Sequence, residues 1–408
     1  MNKNQLKNIF AFIVGCLAFL QFRIMGTFAL GEIVALASTP FIAFGKFREN
    51  KNARQFVYMA FVWLLGVILA DIWNGTPMED RLKGAFNVIF LISIVPFSYW
   101  LLYDNPRRWI IYYFGYTLSV LYNYYFQKVF ESDFEVDTWR VYAYYPLAMW
   151  VAGYLYYKNK HLLSYIAIMM FSVWTLFNFS RNIFLCQTLA VILLLIFNSI
   201  KNQNRDFSEL FSKRFLRLAL GIGVGLFLIS YTYENLASSG SLGDRAQKKY
   251  MMQQKSRYGI ASGRGDFIVS LYMIGRSPVF GYGSYAKDKD KIAFKYKNSH
   301  DLNPYNEPYN KNDMIPRHSY ILGAWVFAGI LGFVFFSYVL VAIWKFFRSG
   351  AILYDSRITG LLSYVMALMI WNILFSPFSD RINFVLFMMM LFILQQKQLS
   401  EKSIVSNG

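Results

Sequence analysis

The feature that confines this chain is the recurrence, from end to end, of apolar runs long enough to cross a lipid bilayer. No charged side chain occurs between Arg217 and Glu234, or between His318 and Lys345. A helix needs roughly 20 apolar residues to span the hydrocarbon core. That ruler places twelve spans, at about 8–22, 24–44, 55–73, 85–103, 109–126, 141–157, 162–180, 183–199, 216–233, 319–344, 359–376 and 382–396. The composition agrees: of 408 residues, 56% are hydrophobic and 20% aromatic but only 16% charged, too little polar surface for a soluble globule of this size. The expected fold class is an all-α polytopic membrane protein.

A formal charge of +18 would ordinarily suggest a nucleic-acid partner. In a membrane chain the basic residues must first be sorted by side. With the N-terminus in the cytoplasm, twenty of the forty-one fall in inner segments and seven in short outer ones. The remaining fourteen lie in one long loop, and long loops are translocated largely regardless of charge. This sorting removes most of the case for nucleic acid. It puts both termini in the cytoplasm and residues 235–317 outside, inserted between spans nine and ten of a single domain covering 1–408. The chain has no fixed-period repeat or low-complexity tract. Its first span reads as a retained signal anchor, and Cys16 and Cys186, both in apolar runs, form no disulfide framework or metal site.

The long loop carries most of the chemistry. Ser262-Gly263-Arg264 opens an amphipathic run in which Phe267, Ile268, Leu271, Tyr272 and Ile274 recur at helical spacing, and Pro278 stops it. The turn Phe280-Gly281-Tyr282-Gly283 follows. After a stretch rich in Asn, Lys and Tyr, the chain re-enters apolar territory at Pro316-Arg317-His318-Ser319, and Gly329-Ile330-Leu331-Gly332 comes soon after.

Guanidinium groups at a water boundary suit diphosphate oxygens, since their planar fork of donors matches phosphate geometry and stays protonated. Arg181 and Arg264 are the foremost such candidates, with Arg257, Arg276 and Arg317 behind them. Arg181 also fits a snorkelling or topology-setting role, whereas the glycines beside Arg264 let backbone approach a ligand. His318 reads either as a base or donor near neutrality or as an ordinary surface histidine; His161 and His300 lie in a cytoplasmic helix start and an Asn-rich loop. Tyr282, Tyr285 and Trp325 are candidates for stacking on sugar rings or for an aromatic girdle.

Three acidic features stay open. Glu32 lies mid-way along the second span, where a carboxylate is costly. It reads either as a functional group facing a water-filled cavity or as a hydrogen-bonded side chain within the bundle. Glu131, Asp133, Glu135 and Asp137 alternate in an outer segment that is a cation site or a solvated loop. Asp288-Lys289-Asp290 has the spacing of metal-dependent nucleotide-sugar enzymes without their strand-turn-helix context. No Walker A loop, HExxH, CxxC or nucleophile elbow is present.

Over residues 180–335 these motifs resemble the O-antigen ligase and O-antigen polymerase superfamily of bacterial envelope glycosyltransferases. Arg181-Asn182-Ile183-Phe184-Leu185 resembles its Arg-x3-Leu motif, and His318-Ser319 followed by Gly329-Ile330-Leu331-Gly332 is similar to its His-(Asn/Ser/Gln)-x9-Gly-x-x-Gly motif. The stretch Arg264 to Gly283 is similar to its Arg-led helix ending in Pro-x-Phe-Gly-Tyr-Gly.

The resemblance implies a glycosyltransferase C-like membrane fold in the bacterial inner membrane, with the active site on the periplasmic face. It implies metal-independent, inverting transfer of a glycan from undecaprenyl pyrophosphate, without a cofactor. Arg181 and Arg264 would hold the leaving pyrophosphate, His318 would orient or deprotonate the acceptor hydroxyl, and Arg257, Arg276, Arg317 and Tyr282 would make secondary contacts. The acceptor is lipid A-core for a ligase or a second lipid-linked glycan for a polymerase; membrane lipid and a chain-length regulator complete the partners. A lipid-linked-sugar flippase or ion-coupled carrier, with Glu32 as its coupling group, is the reading from a different class, opposed by the absence of detectable halves.

Overall fold

The computed structural model describes residues 2–23, 27–42, 45–127, 136–177, 181–203, 231–232, 234–241, 243–244, 247, 250–251, 265–300, 302, 308–310, 312–349, 351, 356–376, 378 and 381–407. They form α1 (Lys3–Leu17), a hairpin of β1 (Gln21–Arg23) and β2 (Thr27–Ala29), α2 (Leu30–Ser38), α3 (Gly45–Glu49), α4 (Lys51–Trp73), α5 (Met78–Leu102) and α6 (Pro106–Tyr122). After these come α7 (Val136–Tyr157), α8 (His161–Phe177), α9 (Arg181–Gln203), α10 (Gly265–Arg276), α11 (Ile292–Ser299), α12 (Tyr320–Ser349), α13 (Thr359–Phe375) and α14 (Arg381–Asn407).

The starts of these helices follow from local chemistry. Asn50 accepts a hydrogen bond from the Ala53 amide to cap α4, and Asn105 caps α6 ahead of Pro106 at its first position.

This is a helical membrane protein. Lys51–Trp73, Met78–Leu102, Tyr320–Ser349 and Arg381–Ser400 are each long and apolar enough to cross a bilayer, and Leu30–Phe41, His161–Thr175, Asn182–Asn198 and Thr359–Phe375 are apolar but shorter. On α4, Phe56, Ala60, Trp63 and Val67 are buried while Tyr58, Phe61, Leu65 and Ile72 are exposed. A helix apolar on both faces has no use for water on its outer side.

Two expected spans take a different form. The second, 24–44, is not one continuous helix but the hairpin, with Phe22 opposite Phe28, then α2 and a 3₁₀ turn at Thr39–Phe41. Pro40 has no N–H with which to continue a helix. The tenth, 319–344, breaks at Gly329. The ninth, 216–233, lies almost wholly outside the described residues.

The core is aromatic. Phe56 and Trp63 of α4 meet Phe335 and Phe336 of α12, and Phe384 of α14 and Phe378 close the cluster around Tyr320. Offset and edge-on ring pairs of this kind add about 0.5–1.5 kcal/mol each beyond the area they bury. Helix α13 packs against α9 and α7, and α14 against α5.

The bundle has two chemically distinct ends. At one, Lys7 and Lys46 pair with Asp104, Lys397 sits over the Tyr103 ring, and the fully buried Arg108 donates to the Leu101 carbonyl and to Asn4. At the other, about 35 Å along α4 at 1.5 Å per residue, the residues of the long loop dock.

Candidate active site

The loop is fastened to the bundle by an interlock of two glycine-bearing turns. The Tyr282 amide donates to the Val326 carbonyl at 2.7 Å, the Gly283 amide to Phe327 at 3.1 Å, and the Ile330 amide to Val279 at 3.0 Å. For this the helix α12 must open at Gly329, whose φ of 61° and ψ of −152° belong to a region open essentially to glycine alone. A Cβ there would lie 1.8 Å from the Val279 oxygen. At Gly281 (φ +67°) it would lie 2.5 Å from the Val326 oxygen. The glycines of the two motifs are thus explained by each other: each clears the way for the other's backbone.

Carboxylate and ring contacts complete the docking. Asp71, buried near the end of α4, accepts from the Ser284 amide at 2.5 Å and from its hydroxyl at 2.8 Å. Trp73 stacks on Phe280 with 4.6 Å between ring centroids. Residues 286–288 then run antiparallel to 313–315, linked by the Ile315 amide to the Ala286 carbonyl and the Asp288 amide to the Asp313 carbonyl. The strand-like segment so fixed leads straight into Pro316, Arg317 and His318.

Ser319, fully buried, caps α12 by accepting from the Leu322 amide, and its hydroxyl donates to the Ile373 carbonyl of α13. His318 is therefore the last residue before a pinned helix start. Its side chain is 51% exposed, open to a reactant. Its Nδ1 lies 3.3 Å from Oδ2 of Asp266, whose other oxygen is 3.3 Å from Nζ of Lys297.

Helix α10 brings Asp266 there. Four residues along the same face, Ser270 donates to the Pro316 carbonyl at 2.8 Å. Behind it, Val269, Met273 and Ile274 bury against α11 and α12 in a small separate core with Ala293, Ile315, Leu322 and Val326. The helix ends before Pro278 as its sequence predicts, but its buried face is centred on Val269 and Met273, leaving Leu271 exposed. Two stripes satisfy the helical period here, and packing between α11 and α12 selects the second.

Arg317, on the other side of His318, lies over the Phe327 and Tyr285 rings at 4.8 and 5.4 Å. Burial pushes its pKa down from the ordinary value and the neighbouring Tyr285 pushes it up; a guanidinium nonetheless stays charged in a protein. Tyr285 accepts from Asn87 at 3.1 Å, and Asn87 in turn accepts from Arg381. Arg381 closes on Glu32 with two hydrogen bonds, Nε to Oε1 at 2.5 Å and Nη2 to Oε2 at 2.8 Å. The Glu32 carboxylate is therefore an ion-paired strut between α2 and α14, linked through Arg381 and Asn87 to Tyr285 of the loop.

The remaining expected residues fall as follows. Arg181 is the first residue of α9, and its side chain, with Arg257, Arg264 and the segment Glu131 to Glu135, lies outside the described residues; Asp137 falls in α7, its side chain likewise undescribed. Arg276 sits at the far end of α10, ten residues from Asp266 and so about 15 Å along the axis, where it donates to the Tyr272 hydroxyl, a bond that pushes its pKa up. The structure does not bring it to His318. The Tyr282 hydroxyl donates to the Met273 carbonyl, and burial pushes its pKa up. Trp325 donates from its ring to the Pro278 carbonyl and packs on Phe333. Asp288 accepts from the amides of Ile292, Ala293 and Phe294, so it caps α11.

Sequence reasoning missed Asp71, Asn87 and Asp266. Asp71 was open to the rule that flags Glu32, a carboxylate inside an apolar run. Asp266 carries no such signal, because an acid in the first turn of a helix is ordinary.

An apolar helical bundle bearing a histidine, a carboxylate and an arginine together on a docked polar loop is a membrane protein with an enzyme-like site at one end. Residues 147–337 match the family model for O-antigen ligase, which supports a place in the O-antigen ligase and polymerase superfamily. The match holds every motif named above and begins earlier than they do, in α7. A comparison with curated proteins finds none that matches.

Proposed function

We propose that this protein is an O-antigen ligase: it transfers a glycan from undecaprenyl pyrophosphate to lipid A-core in lipopolysaccharide biosynthesis, at the periplasmic face of the inner membrane. The observation that carries this reading is the exposed His318 imidazole, flanked by Arg317 and Asp266, inside the region that matches the family. In the reaction, His318 takes the proton of the acceptor hydroxyl and the freed oxygen lone pair attacks the anomeric carbon from the face opposite the leaving group. The anomeric C–O bond breaks, its electron pair passing to the pyrophosphate oxygen.

Arg181 and Arg264 hold that pyrophosphate, where charge builds up in the transition state and a fixed donor is most useful. Arg317 adds to the cationic field, while Arg257, Arg276 and Tyr282 are secondary candidates for phosphate or sugar contacts.

The test is the lipopolysaccharide of a deletion strain. A ligase leaves core without any polymer while lipid-linked polymer accumulates. A single repeat unit on core would instead identify a polymerase, which joins lipid-linked repeats. Because the stabilising groups in this scheme are guanidinium ions, purified protein should keep its activity in excess chelator; loss there, with rescue by magnesium or manganese, would overturn the metal-independent scheme.

A further inference from the structure

His318 does not stand alone, and the geometry around it assigns a role to Asp266, a residue within the Arg264 to Gly283 stretch that carries no motif role of its own. Asp266 approaches Nδ1 of the imidazole, leaving Nε2 on the opposite edge of the ring, and the ring is half exposed. A base that works through Nε2 needs its proton on Nδ1, and a carboxylate facing Nδ1 fixes that tautomer and offsets the positive charge that the ring gains.

The placement is built rather than incidental. Asp266 is one helical turn from Ser270, which grips the Pro316 carbonyl two residues before His318. Ser319, the residue after it, is anchored to Ile373. Both ends of the segment carrying the histidine are thus held, one of them by the helix that carries the carboxylate. Lys297 of α11 holds the outer oxygen of Asp266, and Tyr296 beside it stacks on Tyr272 of α10 at 3.8 Å between centroids. The carboxylate is therefore braced on the side away from the histidine. Contacts between a base and its orienting group are often long in the free enzyme and tighten in the reacting complex.

We propose that Asp266 is a positioning residue for His318, holding the imidazole with Nε2 toward the acceptor hydroxyl and balancing the charge on the ring while the proton is on it. This rests on the reading of His318 as the acceptor base. General-base catalysis contributes about 10²–10⁴-fold in rate, which is the ceiling for a residue acting only through that base.

The experiment compares turnover and donor KM in purified wild-type, Asp266→Asn, Asp266→Glu, Lys297→Met, His318→Ala and the double variant Asp266→Asn/His318→Ala. Donor lipid and acceptor come from the native host. Asp266→Asn should lower kcat by about 10- to 100-fold, within that ceiling, with donor KM little changed, and Asp266→Glu should recover part of the loss. On top of His318→Ala, Asp266→Asn should cost nothing more, since residues acting as a unit are not additive.

The inference is overturned if Asp266→Asn turns over like wild type, or if it costs the same factor in both backgrounds. It is also overturned if Lys297→Met reproduces the whole loss, which would make Asp266 a tie between α10 and α11. Failure of Asp266→Asn to fold counts against it in the same way. A different result sinks the underlying reading: if His318→Ala itself transfers glycan at the wild-type rate, the acceptor base is elsewhere, whatever Asp266 does.

Discussion

Single charges at the loop end of the bundle are handled in two ways, and the difference separates scaffold from site. Glu32 and Arg381 are 3% and 10% exposed and satisfy each other in a two-bond fork. Arg317 has rings for company, and His318 is left open to one side. A carboxylate clamped in this manner makes a poor ion-coupling group, which weakens the carrier reading that Glu32 invites from sequence. Removing one partner of a buried pair strands the other and typically costs 3–5 kcal/mol, whereas replacing both with uncharged groups is often close to neutral. Glu32→Gln and Arg381→Gln should each lower the thermal midpoint of the detergent-purified protein, and Glu32→Gln/Arg381→Gln should restore most of it. A double variant as unstable as the sum of the singles would mean that each residue has a separate partner that matters more.

At the scale of elements, the interlock at Gly281 and Gly329 decides where the loop sits. It also shows what was legible in the sequence and what was not. The helix over Gly265–Arg276 is announced by its period and by Pro278, and the glycines of both turns are visible as motifs. That the two turns fit into one another is not visible, because it depends on backbone groups far apart in the chain, Val279 meeting Gly329 and Tyr282 meeting Val326. The kink in α12 is hidden for the same reason: an apolar run reads as one span, and only the incoming turn requires that it open. Asp266 is hidden because proximity to His318 arises through the Ser270–Pro316 tether and not through spacing. Gly329→Ala tests the interlock. Besides the clash at 1.8 Å, an unusual backbone region of this kind costs a side chain about 1–3 kcal/mol, so the variant should lose transfer activity and melt earlier. Gly275→Ala is the matched control. Nothing lies within 4 Å of a Cβ there, and in a helix alanine is better than glycine by roughly 0.5–1 kcal/mol, so this variant should be as stable as wild type or slightly more so. Equal behaviour of the two would remove the interlock from the account.

For the whole molecule the open question is which end faces the cytoplasm, and here sequence and structure supply complementary halves of one argument. The sequence supplies sign: twenty basic residues in the segments assigned inside against seven in the short outer ones, the asymmetry that orients membrane proteins. The structure supplies position. Lys7, Lys46, Arg108 and Lys397 gather around Asp104 and Tyr103 at one end, while the loop docks on Asp71 and Trp73 at the other. We expect the loop end to be periplasmic. Cysteine labelling with a membrane-impermeant maleimide in spheroplasts, in a background lacking Cys16 and Cys186, makes the expectation measurable. The positions matter: Ser284, at 2% exposure, would stay silent on either side of the membrane, whereas Lys289 and Arg107 are exposed and lie on opposite ends. Lys289→Cys should label in intact spheroplasts, and Arg107→Cys only after the membrane is opened. The reverse pattern would place His318 and Asp266 in the cytoplasm. Transfer of glycan onto lipid A-core at the periplasmic face would then be impossible for this site, and the proposed function would fall with the topology.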